Sequence, residues 1–172
     1  MKAYKFLAAD GRGIFSGFPW PLPNGAPGAW VESEEVAPCR SGIHACRSAD
    51  LPHWIAPVLY EIELDGAIDE QAIKLVAERG RLTRRIDRWN DETREAFSQM
   101  CIVRAKELAA AAPTNLIDWV IDWAPTPEMA PAGPAWMGFM AARIAEQTGG
   151  VDAYAAERAR QSAWLVEQLG LG

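Results

Sequence analysis

Both histidines and two of the three cysteines of this 172-residue chain fall within one short stretch, as Cys39, His44, Cys46 and His53. Two thiolates and two imidazoles are a donor set for tetrahedral zinc, whose borderline softness suits sulfur and nitrogen. The spacing differs from the close ligand pairs of a zinc knuckle. If residues 41 to 46 form a strand, His44 and Cys46 share a face, while Cys39 and His53 fall on loops at its two ends. In the other reading Cys46 is a small buried hydrophobe and His53 caps a surface turn. His44 by itself could act as an acid, a base or a hydrogen-bond donor near neutral pH, or be a satisfied core residue. Gly42 before it and Arg40 and Arg47 on either side suit an anionic ligand. A thiol activated by His44 or His53 would be a nucleophile, yet nothing like the local sequence of a cysteine hydrolase surrounds Cys39 or Cys46.

Three other groupings could carry chemistry. Arg79, Arg81, Arg84, Arg85 and Arg88 form a basic cluster in an acidic chain, and guanidinium forks suit phosphate or carboxylate. The same residues also read as a solvated face paired with Glu78, Asp87, Asp91 and Glu92 or with the acidic C-terminal third. Asp118 and Asp122 sit one helical turn apart, each beside a tryptophan (Trp119 and Trp123), as a metal-holding pair or as surface carboxylates. The eight tryptophans outnumber the five phenylalanines. They either fill the core or wall a flat-sided groove rimmed by the Pro-rich stretches 19–27 and 125–134.

These residues must be positioned by a β-rich first half and a helical second half. The first 68 residues hold most of the Gly and Pro, with strands expected near 2–8, 13–18, 28–32, 41–46 and 57–64. The last puts Tyr60, Ile62 and Leu64 on one face and Glu61 and Glu63 on the other, and ends at the turn dipeptide Asp65-Gly66. Ser48 is expected to cap a short helix closed off by Pro57, laying Leu51, Trp54 and Ile55 on the sheet. Residues 72–79 read as a strand, with 79–86 open to strand or helix. From Asn90 or Asp91 a helix is expected, with Phe97, Cys101, Ala105 and Leu108 on one stripe until Pro113. Pro134 starts a second that Gly149-Gly150 ends, and Asp152 caps a third that Gly170 ends. The expectation is an α+β fold, one domain over 1–172, with a β-rich half (1–86) packed against a helical half (87–172).

Composition narrows the class. At 49% hydrophobic and 23% charged residues the chain reads as globular rather than disordered or fibrous. A net charge of −6 argues against general nucleic-acid binding. No apolar run is long enough for a membrane span and no secretory signal opens the chain, so the expected location is cytoplasmic, with no membrane partner. An odd cysteine count argues against a disulfide framework.

Cys-Arg-Ser-Gly-Ile-His-Ala-Cys at 39–46 and Leu-Tyr-Glu-Ile-Glu-Leu-Asp-Gly at 59–66 resemble an uncharacterised bacterial family of actinobacterial type, as does the C-terminal run from Tyr154 to Gly170. More remotely, the order Gly42–Cys46, Ser48–Ile55, Leu59–Gly66 is similar to the strand, short helix and strand of the ADP-ribosyltransferase fold. That likeness implies half of a cleft for NAD or a nucleotide. It also implies Glu78 as the charge-stabilising acid, but the His or Arg of the family's first strand is replaced by Tyr4 and Lys5. The leading expectation is a protein with a ligand cleft, possessing transferase-like activity on NAD or a nucleotide if it is an enzyme. His44 and Glu78 would act in catalysis, and Tyr4, Trp30, Arg40 and Arg47 in binding. Two alternatives stand beside it: a non-catalytic binding or interaction module using the tryptophans and the arginine cluster, and a zinc-stabilised module using Cys39, His44, Cys46 and His53.

Overall fold

A computed structural model describes residues 1–111 and 133–171. Asp118, Asp122, Trp119, Trp123 and the Pro-rich stretch from 125 to 132 lie outside the described residues. The fold is α+β: strands gather in the first half of the chain and helices in the second. Contacts group the chain into two compact units, Met1–Trp89 and Asn90–Gly172. No helix among the described residues is long and apolar enough to cross a membrane.

The first unit is an antiparallel sheet. Strand β1 (Lys2–Leu7) pairs with β4 (Val58–Glu70), and β4 pairs with β5 (Leu75–Arg85) in a long hairpin. The other edge of β5 takes β2 (Val31–Glu32) near Gly80 and β3 (Ile43–Ala45) near Ala77. Just past β3, Cys46 exchanges two 2.8 Å backbone hydrogen bonds with Tyr4, so β3 also meets β1 and the sheet curls back on itself. Alternation within each regular stretch decides what fills the inside: Ala3 and Leu7 from β1, Ile43 and Ala45 from β3, Tyr60, Ile62 and Leu64 from β4, and Leu75 and Ala77 from β5, joined by Leu82 where the inward parity of β5 has changed. Trp20 from the loop after β1 closes this core. On the opposite side of β1, Phe6 meets Trp89 edge to face at 5.8 Å, and the Trp89 indole donates to the Ala56 carbonyl at 2.9 Å.

Several elements differ from expectation. Residues 13–18 are a tight loop rather than a strand, closed by Gly17 N–H donating to the Gly13 carbonyl at 2.8 Å. Of the expected strand 28–32, only Val31–Glu32 qualifies, although Gly28 N–H donates to the Leu82 carbonyl beside β5. Asp65-Gly66 does not end its strand. Pairing shifts there, from Asp65 opposite Arg79 to Ile68 opposite Ala77, and β4 runs on to Glu70. Gly66, at φ 77°, supplies the left-handed residue of this β-bulge. The arginine-rich stretch from 79 is strand, not helix, because its charged side chains pair across to β4. The segment after Arg47 is a short 3-10 helix (Ser48–His53) without a side-chain cap; it buries Leu51, whereas Trp54 and Ile55 stay partly exposed.

The second unit contains α1 (Asp91–Ala110), α2 (Gly133–Gly149) and α3 (Val151–Leu169). Asn90 caps α1, its side chain accepting from Thr93 N–H at 3.0 Å. The buried stripe of α1 is Phe97, Cys101, Ala105 and Ala109, with Leu108 only partly covered. Gly150, not Asp152, occupies the N-cap of α3, and Gly170 ends it in the left-handed region as expected. A buried polar network joins the helices. Gln161 donates to the Gly138 carbonyl at 2.9 Å and to Glu157 at 3.1 Å, and Glu157 pairs with Arg160 at 2.7 Å and Arg104 at 3.4 Å.

Candidate functional site

Strands β2, β4 and β5 together form a cleft of about 660 Å³ lined by Glu32, Ser33, Glu34, Asp65, Gly66, Glu78 and Arg79. Sequence-distant acids arrive here for local reasons. Glu32 pairs opposite Arg79, and Ser33 N–H then donates to the Glu78 carbonyl at 2.8 Å, which carries the segment through Glu34 along β5. The bulge turns Asp65 and Gly66 toward the same region, and Ala67 N–H donates to the Glu78 carboxylate at 3.1 Å. Asp65 also accepts from Arg79 Nε at 3.0 Å. The Gly66 amide, followed by that guanidinium, holds the Asp65 pKa below the usual carboxylate range. Four carboxylates therefore face one cleft against a single guanidinium that Asp65 already engages.

Of the residues singled out in the sequence, Glu78 and Arg79 line this cleft, whereas His44, Tyr4, Trp30, Arg40 and Arg47 are not among its lining residues. His44 is on β3 with both ring nitrogens occupied. Nδ1 lies 3.1 Å from the Gly42 carbonyl, and Nε2 accepts from Cys39 N–H at 3.2 Å. This arrangement needs the neutral tautomer with hydrogen on Nδ1. Burial agrees with it, holding the His44 pKa below the usual value, with Lys74 and Lys5 adding to the effect. The ring thus fastens the 39–42 loop to β3. Tyr4 is 5% exposed on β1, whereas Trp30 precedes β2, beyond both β4 and β5 in the sheet order, so the two do not make facing walls. Trp30 instead carries the guanidiniums of Arg79 and Arg81 over its ring, at 5.1 and 4.6 Å. Arg47 braces the hairpin turn, bonding Asp50 at 2.8 Å and the Gln71 and Ala72 carbonyls at 2.7 and 3.0 Å. Arg40 is exposed on the loop before β3, its N–H donating to the Ala37 carbonyl at 3.0 Å.

The cysteines and histidines do not converge. Cys46 is buried under the sheet, His53 ends the short 3-10 helix, and Cys39 is exposed with Lys74 Nζ 2.7 Å from its sulfur. Among the described residues no group of three or more His, Cys, Asp or Glu could hold a metal ion. In the arginine cluster the acids engaged are mostly cross-strand residues of β4 rather than helical ones. Arg79 pairs with Asp65, Arg81 with Glu63 at 2.7 Å and Arg84 with Glu61 at 3.1 Å, while Arg85 lies 3.5 Å from Asp87.

Sequence reasoning missed Glu32, Glu34 and Asp65. The available signal was Asp65-Gly66, since a glycine that permits a turn also permits a bulge. It also missed Lys5, a half-buried residue whose ammonium is turned inward. The Lys5 ammonium donates to the His44 carbonyl at 2.5 Å and sits 4.7 Å from the Trp20 ring. Desolvation there pulls its pKa down to about 8.

A family model described as a domain of unknown function (DUF7666) matches residues 1–93, a segment that holds the first unit and the opening of α1. No curated protein and no solved structure matches the chain.

Proposed function

The chain belongs to the DUF7666 family through a segment that carries the whole sheet and its cleft, and we propose that this domain is a ligand-binding module for a small molecule bearing positive charge. One observation carries the reading: Glu32, Glu34, Asp65 and Glu78, from three separate stretches of chain, line one cleft of ligand size with only Arg79 opposing them. An excess of carboxylates in a concave site attracts cations and repels phosphates. A guanidinium or ammonium group pairs well with such carboxylates, and Arg79 holding Asp65 leaves Glu32, Glu34 and Glu78 as the acids assigned to the ligand.

Transferase-like binding of NAD is the second reading. It is favoured by the position of Glu78 in the cleft and by the strand, short helix and strand order of 43–70. It ranks second because three further carboxylates line the same cleft and oppose a pyrophosphate. The two separate in thermal unfolding of the full chain with agmatine, spermidine or NAD in excess. A ligand at about 100 times its Kd adds roughly 2.7 kcal/mol to the native state, a shift of several degrees. The proposal expects that shift with the amines, reduced in Glu78→Gln, and none with NAD. A shift with NAD and none with the amines would reverse the ranking.

A further inference from the structure

A second chemical site lies away from the cleft, where the loop before β3 meets the start of β5. Cys39 and Lys74 are 35 residues apart in sequence, yet Lys74 Nζ lies 2.7 Å from Cys39 Sγ. Sulfur is larger than oxygen, and this separation already falls at the short end of the N–H···O range, so it is close for an N–H···S contact. A bent oxygen atom singly bonded to nitrogen and to sulfur spans such a gap. We propose that Cys39 and Lys74 form an oxidative cross-linking site, joined as Sγ–O–Nζ when the protein meets a peroxide.

The three cysteines differ sharply in what they allow. Cys46 and Cys101 are buried, and desolvation pushes both thiols up to about 12, which keeps them inert. Cys39 is exposed, with an amine already against its sulfur. The backbone presents it in a fixed pose. Cys39 is a non-glycine residue at φ 66°, held there with its N–H donated to His44 Nε2 at 3.2 Å. Arg47 fixes the other side, bonding the carbonyls of Gln71 and Ala72 in the turn that leads to Lys74.

The chemistry balances with two peroxide molecules. In the first step the Cys39 thiolate attacks a peroxide oxygen and the O–O bond breaks; a sulfenic acid and one water result, and sulfur has lost two electrons. In the second, Lys74 gives up its ammonium proton to solvent and the neutral amine forms the N–O bond. One hydrogen leaves the sulfenic O–H, one leaves the N–H, nitrogen loses two electrons, and the second peroxide becomes two waters. The link adds one oxygen and removes two hydrogens from the chain. It would tie the loop before β3 to the β4–β5 hairpin.

The test is intact-mass spectrometry of the full chain after limited hydrogen peroxide, followed by peptide mapping without reductant. The proposal expects a species with one oxygen gained and two hydrogens lost. Its Cys39 and Lys74 peptides should be joined, trypsin should no longer cut after Lys74, and dithiothreitol should restore the free chain. The species should be absent from Cys39→Ser, Lys74→Arg and Lys74→Gln, all surface changes that leave the core intact. Oxidation of Cys39 to sulfenic or sulfinic acid with Lys74 unmodified would overturn the proposal. So would the same mass species persisting in Lys74→Arg, or a Cys39 that peroxide leaves untouched.

Discussion

Lys5→Met should stabilise the first unit at neutral pH, and the gain should shrink as pH rises. The enclosed ammonium has a pKa of about 8 against the ordinary 10.5, so the folded state binds its proton less well than the unfolded chain does. Below pH 8 both states are charged and the folded one carries the full desolvation cost. At about 1.4 kcal/mol for each pH unit between the two values, that cost is about 3.5 kcal/mol. Stability is recovered as pH climbs from 8 toward 10.5, where the unfolded chain still holds the proton and the folded one has released it. By about pH 9.5 the remaining cost is near 1.4 kcal/mol. Methionine removes the titrating group but forfeits the amine's hydrogen bond to the His44 carbonyl, which offsets about 1 kcal/mol at every pH. The wild-type curve alone is not diagnostic, because Cys46 and Cys101 titrate in the opposite sense: their raised pKa values make folding less favourable as pH passes 9. The informative quantity is the difference between variant and wild type in urea unfolding at pH 7 and pH 9.5. Hydrogen exchange of the β4 and β5 amides assigns the transition to the first unit. That difference should fall by about 2 kcal/mol between the two conditions. A difference that stays constant with pH would refute the claim that the Lys5 ammonium is enclosed as a charge.

Three further changes probe the site and its support. Gly66→Ala places a Cβ 2.4 Å from the Glu78 carboxylate at a residue with φ 77°, so it should cost about 1–2 kcal/mol in urea unfolding and weaken amine binding together. His44→Ala releases the Cys39 loop and should lower stability by roughly 1–2 kcal/mol while leaving amine affinity unchanged; an altered affinity with unchanged stability would restore a direct role for His44. Asn90→Ala removes the α1 cap and should destabilise the second unit by about 1 kcal/mol, read from exchange of the first-turn amides, with no effect on the cleft.

Much of this architecture was legible where one physical signal dominates. Alternation fixed the faces of the first half of β4, and Gly149-Gly150 and Gly170 marked helix ends because few other residues tolerate those conformations. The cleft was hidden because it depends on register. Glu32, Asp65 and Glu78 meet only once Val31 is paired to Gly80 and the bulge has shifted β4 against β5, and neither pairing is written in any local pattern. The concentration of Cys and His at 39–53 was real in sequence but dispersed in space, since a three-residue strand and a short 3-10 helix send Cys39, Cys46 and His53 in different directions. His44 looked like chemistry because its type permits chemistry, whereas its two hydrogen bonds show a loop fastener.

The most direct test of the ligand-binding account is calorimetric titration of agmatine into the full chain and into the Glu34→Gln/Glu78→Gln double variant, at low and high salt. The account predicts saturable binding to the wild type, weakened by salt, with the double variant losing at least about tenfold in affinity, or about 1.4 kcal/mol. Equal affinity in the two proteins, or no binding by the wild type, would contradict it.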